Sequence, residues 1–349
     1  ARKMAPFAVI VILVLLTVFF AIRLLLIISS QTSQQAGTSQ VAKIPINPIF
    51  NKIKPPQISE TGTSGMFSYT LDTLDGTTNV ENATSSAQVF FLQKPAATFG
   101  FIDEIYNMAR NVGIDTEITK HTLTDRIATF DDGRRKLDID IDTLNFSYEY
   151  YLDRDDELFQ NDIGTRISGI ESTGGNFLSK MGKYNQSLSR GKRNMIYLRY
   201  DKEARQISPL ESATGTNLVE LDYYRPDIGV YPVVTSSYYN SQNYIMVAMR
   251  GNSPDIVKAQ IKFFEQSKDQ IGSYPLRSSD QAFEDLKGGK GIVISSGQPD
   301  GQVTIKKVFL AYYDPDTYQE YMQPVYVFLG ENKFVAYVTA VTDEYLLTE

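Results

Sequence analysis

Residues 7–28, FAVIVILVLLTVFFAIRLLLII, are apolar throughout except for Thr17 and Arg23. A helix of this run, at about 1.5 Å per residue, reaches roughly 33 Å, enough for a hydrocarbon layer of about 30 Å. A secretory h-region is shorter, and the run ends in Ile27-Ile28-Ser29-Ser30-Gln31 without a small-x-small cleavage pattern. The expectation is an uncleaved anchor over residues 1–28. Arg2 and Lys3 precede it, so the positive-inside rule places the N-terminus in the cytoplasm and the body outside, in the extracytoplasmic space. Arg23 has two readings: its guanidinium snorkels to the outer headgroups, or it meets a polar group on a neighbouring transmembrane helix.

Residues 29–65 read as a linker. SSQTSQQAGTSQ is polar and has no hydrophobic period. IPINPIFNKIKPPQ is spaced by prolines and should run extended. Ile44, Ile46, Ile49, Phe50 and Ile53 are much apolar surface for a free tether, so part of this stretch is expected to dock on the body or on a partner.

Across the whole chain 42% of residues are hydrophobic and 21% charged, a balance that fits folded domains. An α+β fold is expected in two domains, 66–192 and 193–349. FSYTLDTLDG and AQVFFLQKP read as strands, and FIDEIYNMARNVGI as an amphipathic helix ended by Gly113. In RRKLDIDID, Leu137, Ile139 and Ile141 alternate with Asp138, Asp140 and Asp142, the period of a half-exposed strand. TGGNFLSKMGKYNQSLSRG reads as helical. SPDIVKAQIKFFEQSKDQIG reads as a helix with Ser253 as cap, Pro254 at its first position and Gly272 past its end. SSDQAFEDLKGG is a shorter helix, followed by the strands GIVISS, TIKKVFLAYYD, PVYVFLG and KFVAYVTAV.

Chemistry is sparse. There are no cysteines, which excludes disulfides, thiol catalysis and Cys-ligated metals. His121 is the one histidine, and no G-x-S-x-G elbow accompanies it. Asp131-Asp132, Asp138/Asp140/Asp142 and DRDDE at 153–157 are acidic, but none forms an EF-hand loop. GGKG at 288–291 lacks the phosphate-loop spacing and reads as a helix C-cap. The formal charge of −7 repels phosphate backbones, so nucleic acid is not an expected partner. No enzyme activity, cofactor or metal is implied.

Tyrosine numbers 22, with pairs at Tyr223-Tyr224, Tyr238-Tyr239 and Tyr312-Tyr313. On a strand, one ring of a pair faces the core and the other faces out. Tyr224, Tyr239 and Tyr313 are therefore candidate contact residues beside Arg23, Ile44, Ile46, Ile49 and Phe50.

The segment YPLRSSDQAFEDLKGG…IKKVFLAYYDP…QPVYVFLGENKFVAYVTAV, within residues 273–349, resembles the PepSY-like unit. In that unit a helix opening with Ser-x-x-x-Ala packs on a sheet whose last strands alternate aromatic, valine and aromatic. The first half repeats the order of a helix followed by antiparallel strands more loosely. An anchor followed by two such units resembles the YycH/YycI class of exported regulators of a sensor histidine kinase. It is also similar to anchored envelope proteins of bacteria with small genomes that share the phrases TLDT-x-DG and QPVYVF. The resemblance implies a non-enzymatic, single-pass envelope protein. Its partners would be the lipid bilayer and other membrane or envelope proteins, with a homo-oligomer left open. It would regulate a membrane sensor or serve as an accessory subunit. It transfers no catalytic residues. The alternative is a membrane-tethered ligand- or glycan-binding module.

Overall fold

The computed structural model describes residues 44–347, leaving out 60–64, 81–83, 95, 98, 156, 160, 164–166 and 168. The apolar run and Arg23 lie outside the described residues. Among those described, no helix is long and apolar enough to cross a membrane. They belong to a unit spanning 43–349.

In chain order the strands are β1 (Phe67–Leu71), β2 (Ser86–Leu92), β3 (His121–Leu123), β4 (Ile127–Asp131), β5 (Arg135–Asp140) and β6 (Phe146–Tyr150). They continue with β7 (Arg193–Asp201), β8 (Gln206–Leu210), β9 (Leu218–Tyr223), β10 (Val233–Val234), β11 (Tyr244–Arg250) and β12 (Ser253–Ile261). The last are β13 (Gln266–Pro275), β14 (Ile292–Ser295), β15 (Gly301–Tyr313), β16 (Tyr321–Met322), β17 (Pro324–Gly330) and β18 (Val335–Thr339). The helices are α1 (Phe101–Asn111), α2 (Ile170–Lys180), α3 (Gln186–Arg190) and α4 (Ser279–Lys287). The fold is mostly β, with few helices.

The largest sheet is antiparallel, in the order β3-β4-β5-β6-β12-β11-β9-β7-β8. Its strands place alternate residues on opposite faces. Leu137 and Ile139 of β5, and Val219, Leu221 and Tyr223 of β9, enter the core shared with α1 and α2. Gly174 of α2 lies where a Cβ would sit 2.3 Å from Ile245 and 2.4 Å from the Tyr223 hydroxyl, so TGG is a packing contact. The boundary expected at 192/193 falls inside this sheet, because β3–β6 precede it and the other strands follow it.

The second sheet runs β1-β15-β17-β18-β14, with β10 also pairing with β15. Helix α4 opens with a capping box of Ser278 and Gln281 and buries Ala282, Phe283 and Leu286 in the core that also holds Phe328 and Val338. A third sheet, β13-β2-β16, completes the body.

The expected helix over 253–272 is corrected: it is β12 and β13. Val257, Ala259 and Ile261 are buried and alternate with the half-buried Lys258 and Gln260, while Ile256, buried as well, sits at a register shift in the pairing with β11. The irregularity adds Ile256 to the apolar set, and residues 256, 257, 259 and 261 behind Ser253-Pro254 mimic a capped helix. Gly272 is not a helix cap. It gives room to the rings of Tyr274 and Phe50, which a Cβ would meet at 2.7 and 3.2 Å. The strand expected over YPVVTSSYY shrinks to Val233–Val234.

The proline-spaced stretch docks. Asn47 and Ser273 exchange two main-chain bonds of 2.9 Å. The Ile53 N–H donates to the Tyr345 carbonyl, and the Leu347 N–H donates to the Ile53 carbonyl, both at 2.9 Å. Ile53 is buried among Val89, Tyr274, Val341 and Leu346, with Phe50 packed against them. Ile46 and Ile49 remain 54% and 46% exposed. Ile53→Ala is expected to cost about 2–4 kcal/mol in urea denaturation and Ile46→Ala under about 0.5 kcal/mol. Equal costs would overturn the docking.

Candidate functional site

A groove of about 1130 Å³ opens along one side of the second sheet. Its floor is the Lys306–Leu310 stretch of β15. One end is the turn after β1, where Asp75 Oδ1 accepts bonds from the Thr77 N–H (3.1 Å) and the Thr73 hydroxyl (3.2 Å). The approach to β10, Val230–Val234, closes the other end. Tyr224, Tyr238 and Tyr239 form an aromatic wall, with the last two rings edge to face at 4.9 Å.

Five basic and two acidic side chains line the groove. Lys192 pairs with Asp227 at 2.7 Å, Arg193 with Glu171 at 3.2 Å, and Lys306 with Asp72 and Glu331 at 2.6 and 2.9 Å. Lys307 sits 5.5 Å from the centre of the Phe309 ring. These pairs are half open to water, where an ion pair contributes little and exchanges partners readily. Arg225 differs. It is buried, its Nε lies 2.6 Å from Asp314 Oδ1, and its Cζ lies 3.7 Å over the Phe263 ring. It also donates to the Phe264 carbonyl. It ties the end of β9 to the end of β15.

The tyrosine wall is held from behind by two carboxyls. Glu220 and Asp222 occupy one face of β9, two residues apart. Asp222 is fully buried. Its Oδ2 accepts from the Tyr224 hydroxyl and the Ser241 N–H, each at 3.2 Å, while Oδ1 has no protein donor among the described residues. Burial, then the charge of Glu220, push the Asp222 carboxyl up to about 7. Burial also raises Glu220. The Tyr224 hydroxyl also lies 3.2 Å from the Tyr239 carbonyl, which anchors the loop carrying Tyr238 and Tyr239. Tyr238 has φ 59°, a left-handed conformation that a bulky residue holds only when its surroundings fix it.

Of the residues singled out from sequence, Tyr224 and Tyr239 meet in the groove. Ile44, Ile46, Ile49 and Phe50 lie in the docked stretch, and Arg23 is outside the described residues. Tyr313 turns inward. It is 1% exposed and packs on Tyr337, because both faces of β15 are covered there and Tyr312 fills the opposite core. His121 does not line the groove. Its Nε2 is 2.7 Å from the Tyr106 hydroxyl, and its ring stacks on Phe130. The acidic clusters serve turns and arginines: Asp132 caps the β4–β5 turn, and Asp155 joins Arg250, which also holds Asp255 at 2.9 Å. Sequence reasoning missed the Glu220–Asp222 pair, although LVELDYY carries its signal: two acids on one face of an otherwise apolar strand. It also missed Lys183, whose ammonium donates to the Thr143 carbonyl at 2.6 Å and is lowered to about 8 by burial.

No protein-family model matches this chain, and no curated protein does. Among solved structures it is similar to an uncharacterized protein from Eubacterium rectale. The identity is 13% and the TM-score 0.37, over 82% of this chain and 90% of that one.

Proposed function

We propose that this chain is a non-enzymatic, single-pass envelope protein whose extracytoplasmic body binds other envelope proteins, as regulator of a membrane sensor or accessory subunit of a membrane complex. The observation that carries the reading is the docked stretch. Phe50 and Ile53 are used within the body, while Ile46 and Ile49, on the anchor side of them, stay in solvent. Docking commits the chain from Asn47 onward to the body and leaves these two isoleucines on its surface. Two neighbouring exposed isoleucines on a docked segment suit contact with another protein. In finer detail, the reading takes α4 with β15, β17 and β18 as a PepSY-like unit, and α1 with β4–β6 as its looser counterpart.

The test is a gentle-detergent pull-down of the full-length protein with mass spectrometry, beside Arg23→Leu and Ile46→Ser/Ile49→Ser variants. A partner held by the wild type and reduced tenfold or more by the serine pair is the expected result. Absence of any partner from the wild-type sample would sink the reading.

The groove favours a second reading, a membrane-tethered ligand- or glycan-binding module. Tyrosine faces and cations already paired with carboxylates suit an uncharged, polyhydroxylated ligand more than a free anion.

A further inference from the structure

The floor of the groove is an interrupted sheet edge. On one side β15 pairs with β17 from Ile305 to Tyr312. On the other it has two short parallel neighbours. Strand β1 covers Gly301–Ile305, and β10 covers Tyr312–Tyr313. Between them, Lys306–Ala311 have no main-chain partner on that edge among the described residues.

The direction of the free groups follows from the strand's end. The Tyr313 N–H donates towards β17, to the Gln323 carbonyl at 3.1 Å. The Tyr312 N–H donates the opposite way, to the Pro232 carbonyl at 2.9 Å. Successive peptide groups point to opposite edges, and the pairing with β17 runs without a shift from Lys307 to Tyr312. The main-chain groups of Val308 and Leu310 therefore point into the gap. The gap is about 20 Å long at roughly 3.3 Å per residue, the length of a short strand.

We propose that this gap is a strand-acceptor slot, in which an extended segment of a partner protein pairs with Val308 and Leu310 between β1 and β10. The inference rests on the partner-binding reading above and names its site. Main-chain bonds to β15 give such a segment affinity, and the walls select its side chains. One face of the inserted strand meets Leu310 and Tyr231, the other Phe309 and Tyr238, so alternate apolar side chains fit both. Lys306 and Lys307 lie at one end and Lys192 and Arg193 in the wall; the water-exposed ion pairs of Lys192, Arg193 and Lys306 exchange partners readily, so acidic residues at the segment's ends can take the place of their present carboxylates. Edge lysines also discourage pairing with an unselected strand. The edges of the nine-stranded sheet are poor donors: β3 has three residues, and β8 carries Pro209, which has no N–H to give.

The test reads amide hydrogen exchange along β15 by NMR in the full-length protein. It is measured alone and with a synthetic probe, acetyl-Glu-Val-Thr-Val-Thr-Val-Glu-amide. In the free protein, Val308 and Leu310 are expected to exchange about tenfold or more faster than Lys307 and Phe309. The probe is expected to slow them by about tenfold or more at saturation. Val308→Pro removes an N–H that supports no ladder bond, so it should fold and lose the probe's effect. Val308 and Leu310 protected like their neighbours without the probe, or unchanged by it, would overturn the slot. A partner pulled down equally by wild type and a folded Val308→Pro variant would remove the slot and leave partner binding standing.

Discussion

Replacing Asp314 with alanine is expected to lower stability by about 3–5 kcal/mol, because it leaves the buried Arg225 guanidinium without its counter-charge. Both side chains are buried, with 3% and 2% of their surface open. The remaining Arg225 contacts, the Phe264 carbonyl and the Phe263 ring, do not neutralise its charge. Urea denaturation at constant pH measures the loss. The double replacement Arg225→Met/Asp314→Leu should recover most of it, since two apolar side chains remove both charges together. A single variant that loses less than about 1 kcal/mol would mean that water reaches the pair. The pair joins the end of β9 to the end of β15, so its loss should also loosen the groove that Arg225 lines.

Raising the pH from about 4 to about 7 is expected to destabilise the fold through Asp222. In the unfolded chain an aspartate loses its proton near 3.9; in the folded chain it is held up to about 7. Between these values the native state binds a proton that the unfolded state does not. The contribution is fully present below about 4 and lost as pH passes 7, with a limit of about 4 kcal/mol. Asp155 works in the opposite sense at lower pH. It is held at about 2, with Tyr150 and Arg250 bonded to its carboxylate, so its contribution is lost in acid. Comparing urea midpoints of wild type and Asp222→Asn from pH 4.5 to 8 separates the two. The variant should lose the fall across that range, and an identical slope would remove Asp222 as its source.

How far the sequence could be read depended on whether one face of an element stayed wet. β5 was legible because Asp138 faces water while Leu137 and Ile139 do not, and α1 and α4 because their caps and apolar stripes agree. β12 was not, since the register shift beside Ile256 breaks its alternation and Ser253-Pro254 looks like a helix start. The tyrosine pairs fall under the same rule. Tyr223-Tyr224 divides as expected, whereas Tyr312-Tyr313 sits where two cores meet. The groove was legible only in part. Tyr224 and Tyr239 could be picked out by type, but the gap in β15 depends on β1 and β10, which join it from distant parts of the chain. Pairing over such distances leaves no local pattern.

The same long-range closure has a consequence for biogenesis. β1 pairs with β15, β6 with β12, and Ile53 bridges Leu346, so every sheet or docked segment waits for chain made much later. Such topologies fold slowly, because the loops must close before their contacts repay the lost entropy. The N-terminal portion has no complete sheet to fold into while the ribosome is still at work. A body whose sheets close only through late strands is expected to stay open, and able to thread a narrow channel, until those strands are available.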